Sequence, residues 1–287
     1  MNAITYLILS SFFHATWNSF LKTRPQKNLF LFKALLIAIF FGWSLSFIFD
    51  PWANYASWPW TAMIFSGLTE GIYFVTLTLA LKDAPLAMAY SITRTTAMLL
   101  SWAFTFCFMN EVINMQEFPG IGFIFVGLIL PVIFGQTKKV ASGQNHSYFW
   151  SYACGASVVA YNTFYSIALN QGAAPLACLA ISLTIGAPFL LLTYEKGIKE
   201  GIRNLKFKTL PWYEWRNIIL LGCLITASFF CYLTGLIGIG PSLAITIRNL
   251  SIGFALIYSR LLGEKLKTSE IISLVFIIVG VLLLSTH

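Results

Sequence analysis

Residues 240–284, GPSLAITIRNLSIGFALIYSRLLGEKLKTSEIISLVFIIVGVLLL, restate in altered letters a stretch that begins at Ala84, APLAMAYSITRTTAMLLSWAFTFCFMNEVINMQEFPGIGFIFVGLIL. Glu111, Glu117, Gly120 and Gly127 of the earlier stretch correspond to Glu264, Glu270, Ser273 and Gly280 of the later one at a constant offset. Arg94 and Arg248 match with a slip of one residue, which a helix end or turn can absorb. Upstream of both, ATWNSF around Asn18 matches VAYNTF around Asn162. The chain is therefore read as two copies of one unit.

Each unit is made of apolar runs. A membrane-crossing helix needs about 20 apolar residues, and ten runs qualify: 3–21, 29–49, 60–81, 85–107, 118–135, 149–169, 174–194, 216–237, 240–261 and 269–286. The 287 residues are 58% hydrophobic and 10% charged, whereas a soluble domain carries about 25% charged residues. That is too little charge to coat a water-facing surface. The expected fold is an all-α polytopic membrane protein, with a first five-helix repeat over 1–138, a cytoplasmic linker over 139–147 and a second repeat over 148–287. The first run has the hydrophobicity of a signal peptide but lacks a basic n-region and a small-residue cleavage site. His14 and Asn18 interrupt it, so it is read as a retained span.

Sixteen of the eighteen Lys and Arg residues lie in every second gap between runs, or at its rim. Lys22, Arg24, Lys27 and Lys33 follow the first run, Lys82 the third, and Lys138 and Lys139 the fifth. Six more, Lys196 to Arg216, follow the seventh, and Arg260, Lys265 and Lys267 follow the ninth. Positive loops stay on the cytoplasmic side, so both termini are expected outside, in the periplasm if the membrane is a bacterial inner membrane. Five spans per unit is an odd number, and equivalent segments must point in opposite directions. The charges agree: the gap after run one is basic and its equivalent after run six is not. Inverted repeats of this kind belong to secondary transporters, with a site near the midplane between the halves. The aromatic segment from Asp50 to Trp60 is expected at the outer interface. The long gap from Glu195 to Trp215 is either a short helix on the inner surface or a solvated basic loop.

The pattern resembles the drug/metabolite transporter superfamily, in particular its EamA-type members. The final stretch carries the features that support this: Gly263-Glu264 after the ninth run, Glu270 six residues on and Gly280 ten beyond. Asn110 stands where a Gly precedes the equivalent Glu in the family, and Ser273 stands where Gly120 stands in the first half. The resemblance implies that spans one, three, four, six, eight and nine line a central cavity and that spans five and ten are peripheral. It also implies transport of small metabolites, including amino acids and related zwitterions.

Only Arg94 and Arg248 depart from the charge alternation, deep inside apolar runs. A charge at the centre of a bilayer costs about 2.5–3.5 kcal/mol on insertion scales, and such residues usually face a cavity or a partner. A guanidinium fork suits a carboxylate or phosphate. Pairing with Glu70, the one acidic residue deep in a run, still leaves one guanidinium without a carboxylate, so a substrate with an anionic group is expected. His14 and Asn18 share a face of span one beside Trp17, and the matching face of span six carries Tyr161, Asn162 and Tyr165. Span three offers Glu70 and Tyr73 next to a close-packing pair, Gly67 and Gly71. Span four aligns Tyr90 with Arg94, span eight aligns Ser228 with Tyr232, and Asn249 adjoins Arg248. These fourteen residues are the candidate substrate contacts. His14 and Glu70 are also candidate proton carriers, Glu70 being alternatively a fixed partner for an arginine.

The function expected is alternating-access transport, most simply export of a small carboxylate-bearing or zwitterionic metabolite, with import of a zwitterionic or cationic nutrient as the alternative. No paired-carboxylate, nucleophile-elbow, phosphate-loop or zinc spacing points to an enzyme. No ring of like charges or repeated carbonyl loop points to a channel. The five cysteines, Cys107, Cys154, Cys178, Cys223 and Cys231, sit in runs without metal-ligand spacing and are read as free thiols. Neither a metal nor a cofactor is expected. The net charge of +8 is spread along one membrane face, so the expected partners are lipid and a small molecule rather than nucleic acid. The protein itself is expected as a monomer or homodimer.

Overall fold

The computed structural model describes residues 2–24, 26–83, 86–108, 115–140, 148–194, 201–202, 210–237, 239–261 and 268–285. Among them the protein is helical, without strands. The helices are α1 (Ala3–Lys22), α2 (Lys27–Phe49), α3 (Trp60–Asp83), α4 (Leu86–Phe108), α5 (Phe118–Val140) and α6 (Phe149–Asn170). They are followed by α7 (Pro175–Gly186), α8 (Trp212–Leu236), α9 (Pro241–Arg248), α10 (Leu250–Leu261) and α11 (Thr268–Ser285).

Local sequence explains the helix ends. Asn2 caps α1, its Oδ1 accepting from the Thr5 N–H at 2.9 Å. Helix α6 stops at Gly172, whose φ of 93° suits a residue without Cβ, while Ala173 N–H reaches back to the Ala168 carbonyl at 3.0 Å. Pro175 and Pro241 occupy first turns, where no backbone donor is lost. Helix α7 has no cap of its own; Asp50, at the end of α2, supplies one by accepting from the Ala177 N–H at 2.7 Å.

Three expectations about element ends change. The ninth run is two helices rather than one, divided at Asn249. The seventh tightens into a 3₁₀ segment over Ala187–Thr193, where Pro188 ends the α-helical ladder. Helix α8 begins at Trp212, so Trp212 and Trp215 belong to a span and not to the preceding gap. Helix α5 continues to Val140, while the rest of the linker, 141–147, lies outside the described residues, as does most of the basic stretch from 195 to 209.

Helix α3 packs on α6 and α7, and α8 packs on α1 and α2; α4 lies against α6, and α9 with α10 against α1; α5 pairs with α11. Exchanging the two sequence repeats turns α3–α6 into α8–α1, α3–α7 into α8–α2 and α4–α6 into the contact of α9 and α10 with α1, and returns α5–α11 to itself. Glycines make the closest crossings possible. A Cβ on Gly67 would lie 2.8 Å from Ile185 Cβ and 3.0 Å from the Ser182 carbonyl; one on Gly222 would lie 2.7 Å from Ile37 Cβ and 2.8 Å from the Ala34 carbonyl. Gly186 returns the contact on the α3 backbone at Gly67 and Gly71.

Among the described residues, five helical segments are long and apolar enough to cross a membrane: Lys27–Phe49, Trp60–Ala80, Pro175–Thr193, Trp212–Leu236 and Pro241–Tyr258. Helices α1, α4 and α6 fall short in hydropathy because of residues such as His14, Arg94 and Asn162, and these side chains are buried inside the bundle. Phe40, Phe47, Phe49, Phe106 and Phe108 remain exposed on the outside, an apolar surface suited to lipid. At one end of the bundle a ring cluster joins Trp43, Phe47 and Trp52 by stacking and Trp58 by a tilted contact, with Phe47 and Trp52 centroids 4.9 Å apart.

Candidate functional site

His14, on α1, lies between the two intramembrane arginines. Arg94 Nη2 of α4 is 2.6 Å from His14 Nε2, and Arg248 Nη2 of α9 is 3.2 Å from His14 Nδ1. All three residues are buried. A guanidinium only donates, and an imidazole has one ring lone pair when neutral and none when protonated. At most one of the two contacts is therefore a hydrogen bond, and the second guanidinium faces a ring N–H. The site holds two cations around a single acceptor, an arrangement short of acceptor atoms.

Arg248 sits where span nine breaks. Asn249 N–H reaches the Thr246 carbonyl at 3.1 Å and Ile252 N–H the Asn249 carbonyl at 2.9 Å, the i to i+3 pattern of a 3₁₀ turn. Such a turn rises about 2.0 Å per residue against 1.5 Å in an α-helix. A few tightened residues therefore cover the height of one more, in the direction required by the one-residue slip between Arg94 and Arg248. The Ser11 hydroxyl, which donates to the Leu7 carbonyl at 2.8 Å, lies 3.4 Å from the Arg248 carbonyl, and Trp102 Nε1 on α4 donates to Thr246 Oγ1 at 3.0 Å. The Arg248 guanidinium carbon lies 4.2 Å from the Tyr232 ring centroid and 5.3 Å from that of Phe229. Its Nε and Nη1 have no hydrogen-bond partner, and neither do the side-chain oxygen and nitrogen of Asn249. Buried polar atoms left in this state are costly, and a polar ligand or bridging water removes the cost.

A cavity opens beside His14 and Arg94, walled by Tyr73, Tyr90 and Tyr161 and by Leu77 and Val158. Its space for water-sized molecule centres is about 10 Å³, enough for roughly one water. In this conformation the site is collapsed. Trp17 stands edge-on to His14 at 5.1 Å with its Nε1 unpartnered, and the Tyr90 hydroxyl is unpartnered too. Tyr73 and Tyr161 rings meet at 5.3 Å.

The remaining candidates do other things. Asn18 Nδ2 donates to the His14 carbonyl and Asn162 Nδ2 to the Val158 carbonyl, both at 2.7 Å, each back onto its own helix; Asn162 Oδ1 stays unpartnered. Ser228 is committed to a reciprocal bridge, since its hydroxyl donates to the Ser10 carbonyl while Ser10 donates to the Ser228 carbonyl at 2.8 Å. Glu70 bonds hydroxyls rather than a guanidinium: its Oε2 accepts from Tyr165 at 2.7 Å and from Ser182, while Oε1 is buried without a partner. Tyr165 thus belongs with Glu70 and not with the arginine pocket. Ser182 and Phe229 are the residues sequence reasoning passed over. Cys178, Ser182 and Gly186, spaced four residues apart, form a ridge of small side chains opposite Gly67 and Gly71, and that ridge was the available signal for Ser182.

Comparison with known proteins agrees with this architecture. The sequence profile of the EamA-like transporter family matches residues 146–286. No curated protein matches the chain. Twenty-seven chains of solved structures match. A crystal structure among them superposes with a TM-score of 0.66 at 16% identity, covering 99% of this chain and 95% of the other. At that identity the likeness concerns the fold alone.

Proposed function

We propose that this chain, which belongs to the EamA-like transporter family over residues 146–286, is an integral membrane secondary transporter that works by alternating access. Ten spans in two inverted five-helix units form the frame, a reading supported by the charge alternation and by helix pairings that exchange when the repeats are swapped. The substrate is a small metabolite with a carboxylate, most simply an amino acid or a compound derived from one. The observation that carries this reading is the shortage of acceptors between Arg94 and Arg248. A carboxylate entering there offers two oxygens, one for each guanidinium, where His14 offers one lone pair. Displaced from its middle position, His14 becomes free to bond the substrate.

Trp17, Tyr73, Tyr90 and Tyr161 would cover the rest of the molecule, and Asn249 would read its polar part. Tyr232, held against Arg248, orients the guanidinium. Ser228 bridges α8 to α1, Asn18 and Asn162 bond back onto their own helices, and all three are left out of the contact set. Export is the direction proposed, and the cavity lining runs from His14 past Leu77 to Ala80 and Ala89, toward the connection beside Lys82. Positive charge assigns that connection to the cytoplasm, so the site loads from within; both termini then lie outside.

The test is a thermal-shift screen of amino acids, dicarboxylates, polyamines and quaternary amines on detergent-purified protein, followed by counterflow of the best binder in proteoliposomes. A ligand at one hundred times its Kd adds about 2.7 kcal/mol of stability. Stabilisation by carboxylates that disappears in Arg94→Ala and Arg248→Ala supports the reading. Stabilisation by cationic amines alone, undiminished in both variants, removes it.

A further inference from the structure

The same steps along the chain that relate the two glycine crossings also relate their surroundings. Moving from Gly67 to Gly222 moves Glu70 to Ile225; moving from Ile185 to Ile37 moves Ser182 to Ala34; moving from Asn162 to Asn18 moves Tyr165 to Leu21. Ile225, Ala34 and Leu21 are all buried core residues. The fold fills this place in one half with three apolar side chains, so packing does not require a carboxyl, a phenol and a hydroxyl in the other. A buried carboxyl that the architecture can do without costs stability.

The hydrogens around Glu70 do not add up without one more. Tyr165 Oη lies 2.7 Å from Glu70 Oε2 and 2.6 Å from Ser182 Oγ, and Ser182 Oγ closes on the same carboxyl oxygen. These three oxygen–oxygen contacts form a ring, and each needs a hydrogen between its atoms. The phenol and the serine supply two. The carboxyl must supply the third, and a carboxyl proton also relieves Oε1, which as half of a carboxylate would be buried with no donor. His14 offers no comparable place, because a proton on both ring nitrogens would set N–H against guanidinium N–H on both sides.

We propose that Glu70 is the proton-binding site of the transport cycle. The proposal rests on the transporter reading and adds the identity of the coupling ion and of its residue. A proton from water on one side converts the carboxylate to the acid, which closes the ring between α3 of the first repeat and α6 and α7 of the second. Separation of those helices opens the ring and returns the proton to the opposite side. The titratable or charged groups that feel Glu70 are Tyr161 and Tyr165 of α6, Cys178 of α7 and Arg248 of α9. Arg248 couples this site to the substrate pocket: a carboxylate substrate that occupies the guanidinium removes positive potential from Glu70 and favours proton uptake, so proton and substrate leave the cell together and export runs down the substrate's own gradient.

The test begins with infrared difference titration of the full-length protein in lipid, from about pH 5 to about pH 9, a range that brackets shifted carboxyls. Wild-type protein is expected to show a carboxylic-acid C=O band that titrates, and Glu70→Gln to lack it. Glu70→Leu, which imitates Ile225, guards against misfolding of the first variant and is expected to lack the band as well. A wild-type spectrum without such a band, or a band that survives both substitutions, overturns the proposal. In proteoliposomes given a ¹⁴C-labelled amino-acid mixture, an internal pH dye should report proton movement with uptake, reduced at least tenfold in Glu70→Gln. Equal proton movement in the variant, or movement that follows a sodium gradient instead, also overturns it. Absence of counterflow by wild-type protein sinks the transporter reading and leaves the infrared result to decide Glu70.

Discussion

Around Gly67 and around Gly222 the two halves of the molecule are packed alike, each glycine admitting a carbonyl and an isoleucine from the helix it crosses. Around Asn18 and Asn162 they are alike again, each amide folded back onto the carbonyl four residues earlier. The chemistry at the same places differs. The carbonyl belongs to His14 in one half and to Val158 in the other, and Glu70 in one half stands where Ile225 stands in the other. Of the buried ionisable groups of the site, the arginines alone occur in both halves, and even they sit differently: Arg94 lies within unbroken α4, Arg248 at the break between α9 and α10. Repetition supplies a symmetric frame, and the departures from it cluster where a solute and a proton would bind. In the proposed transport cycle, a frame with the same packing in both halves would rock between two equivalent closures, and the unique side chains would select the substrate.

That comparison can be broken in four ways. Ile225→Glu puts an unprovided carboxyl into the apolar equivalent of the Glu70 site and is expected to cost about 3 kcal/mol or more. Glu70→Leu should stay within about 1 kcal/mol of wild type, because Tyr165 and Ser182 remain bonded to each other. Thermal unfolding in detergent measures both, and equal losses would mean that the two places are not equivalent. Gly67→Val and Gly222→Val should each cost about 1–3 kcal/mol by overpacking; a loss confined to one of them denies the shared crossing.

Removal of Arg248 should weaken a carboxylate ligand at least about tenfold, or 1.4 kcal/mol, and more than removal of Arg94, because its Nε and Nη1 are free to take it. Titration of the ligand by thermal shift in both variants ranks them, and the reverse order would argue that Arg248 is chiefly a packing residue. The smallest effect concerns the cap that α7 borrows. Asp50→Ala should cost about 1 kcal/mol. Burial pushes the Asp50 carboxyl up against the opposing hydrogen bonds from Ser46 and Ala177. A raised folded value favours the protonated form, so the stability linked to burial of this carboxyl, as distinct from the cap itself, is full below the ordinary carboxylate range and is lost as pH rises through the raised value. Unfolding profiles of wild type and Asp50→Asn over that range should diverge accordingly, and parallel profiles would refute the assignment.

The sequence determined the helical membrane architecture, the internal repeat and the identity of the two buried arginines. Those follow from hydropathy, charge alternation and residue spacing, quantities that depend on neighbours along the chain. It also put Gly67 beside Gly71 as a packing pair. Tertiary structure decided the rest. His14 came to lie between two guanidiniums from separate repeats, and Glu70 turned from the arginines to Tyr165 and Ser182. Ser228, polar and well placed on its helix, was spent on Ser10. Span nine broke at Asn249 although no proline or glycine stands there. Each of these depends on which groups meet across helices far apart in the chain, and a hydrogen bond is fixed by the partner that arrives, which periodicity along one helix cannot specify.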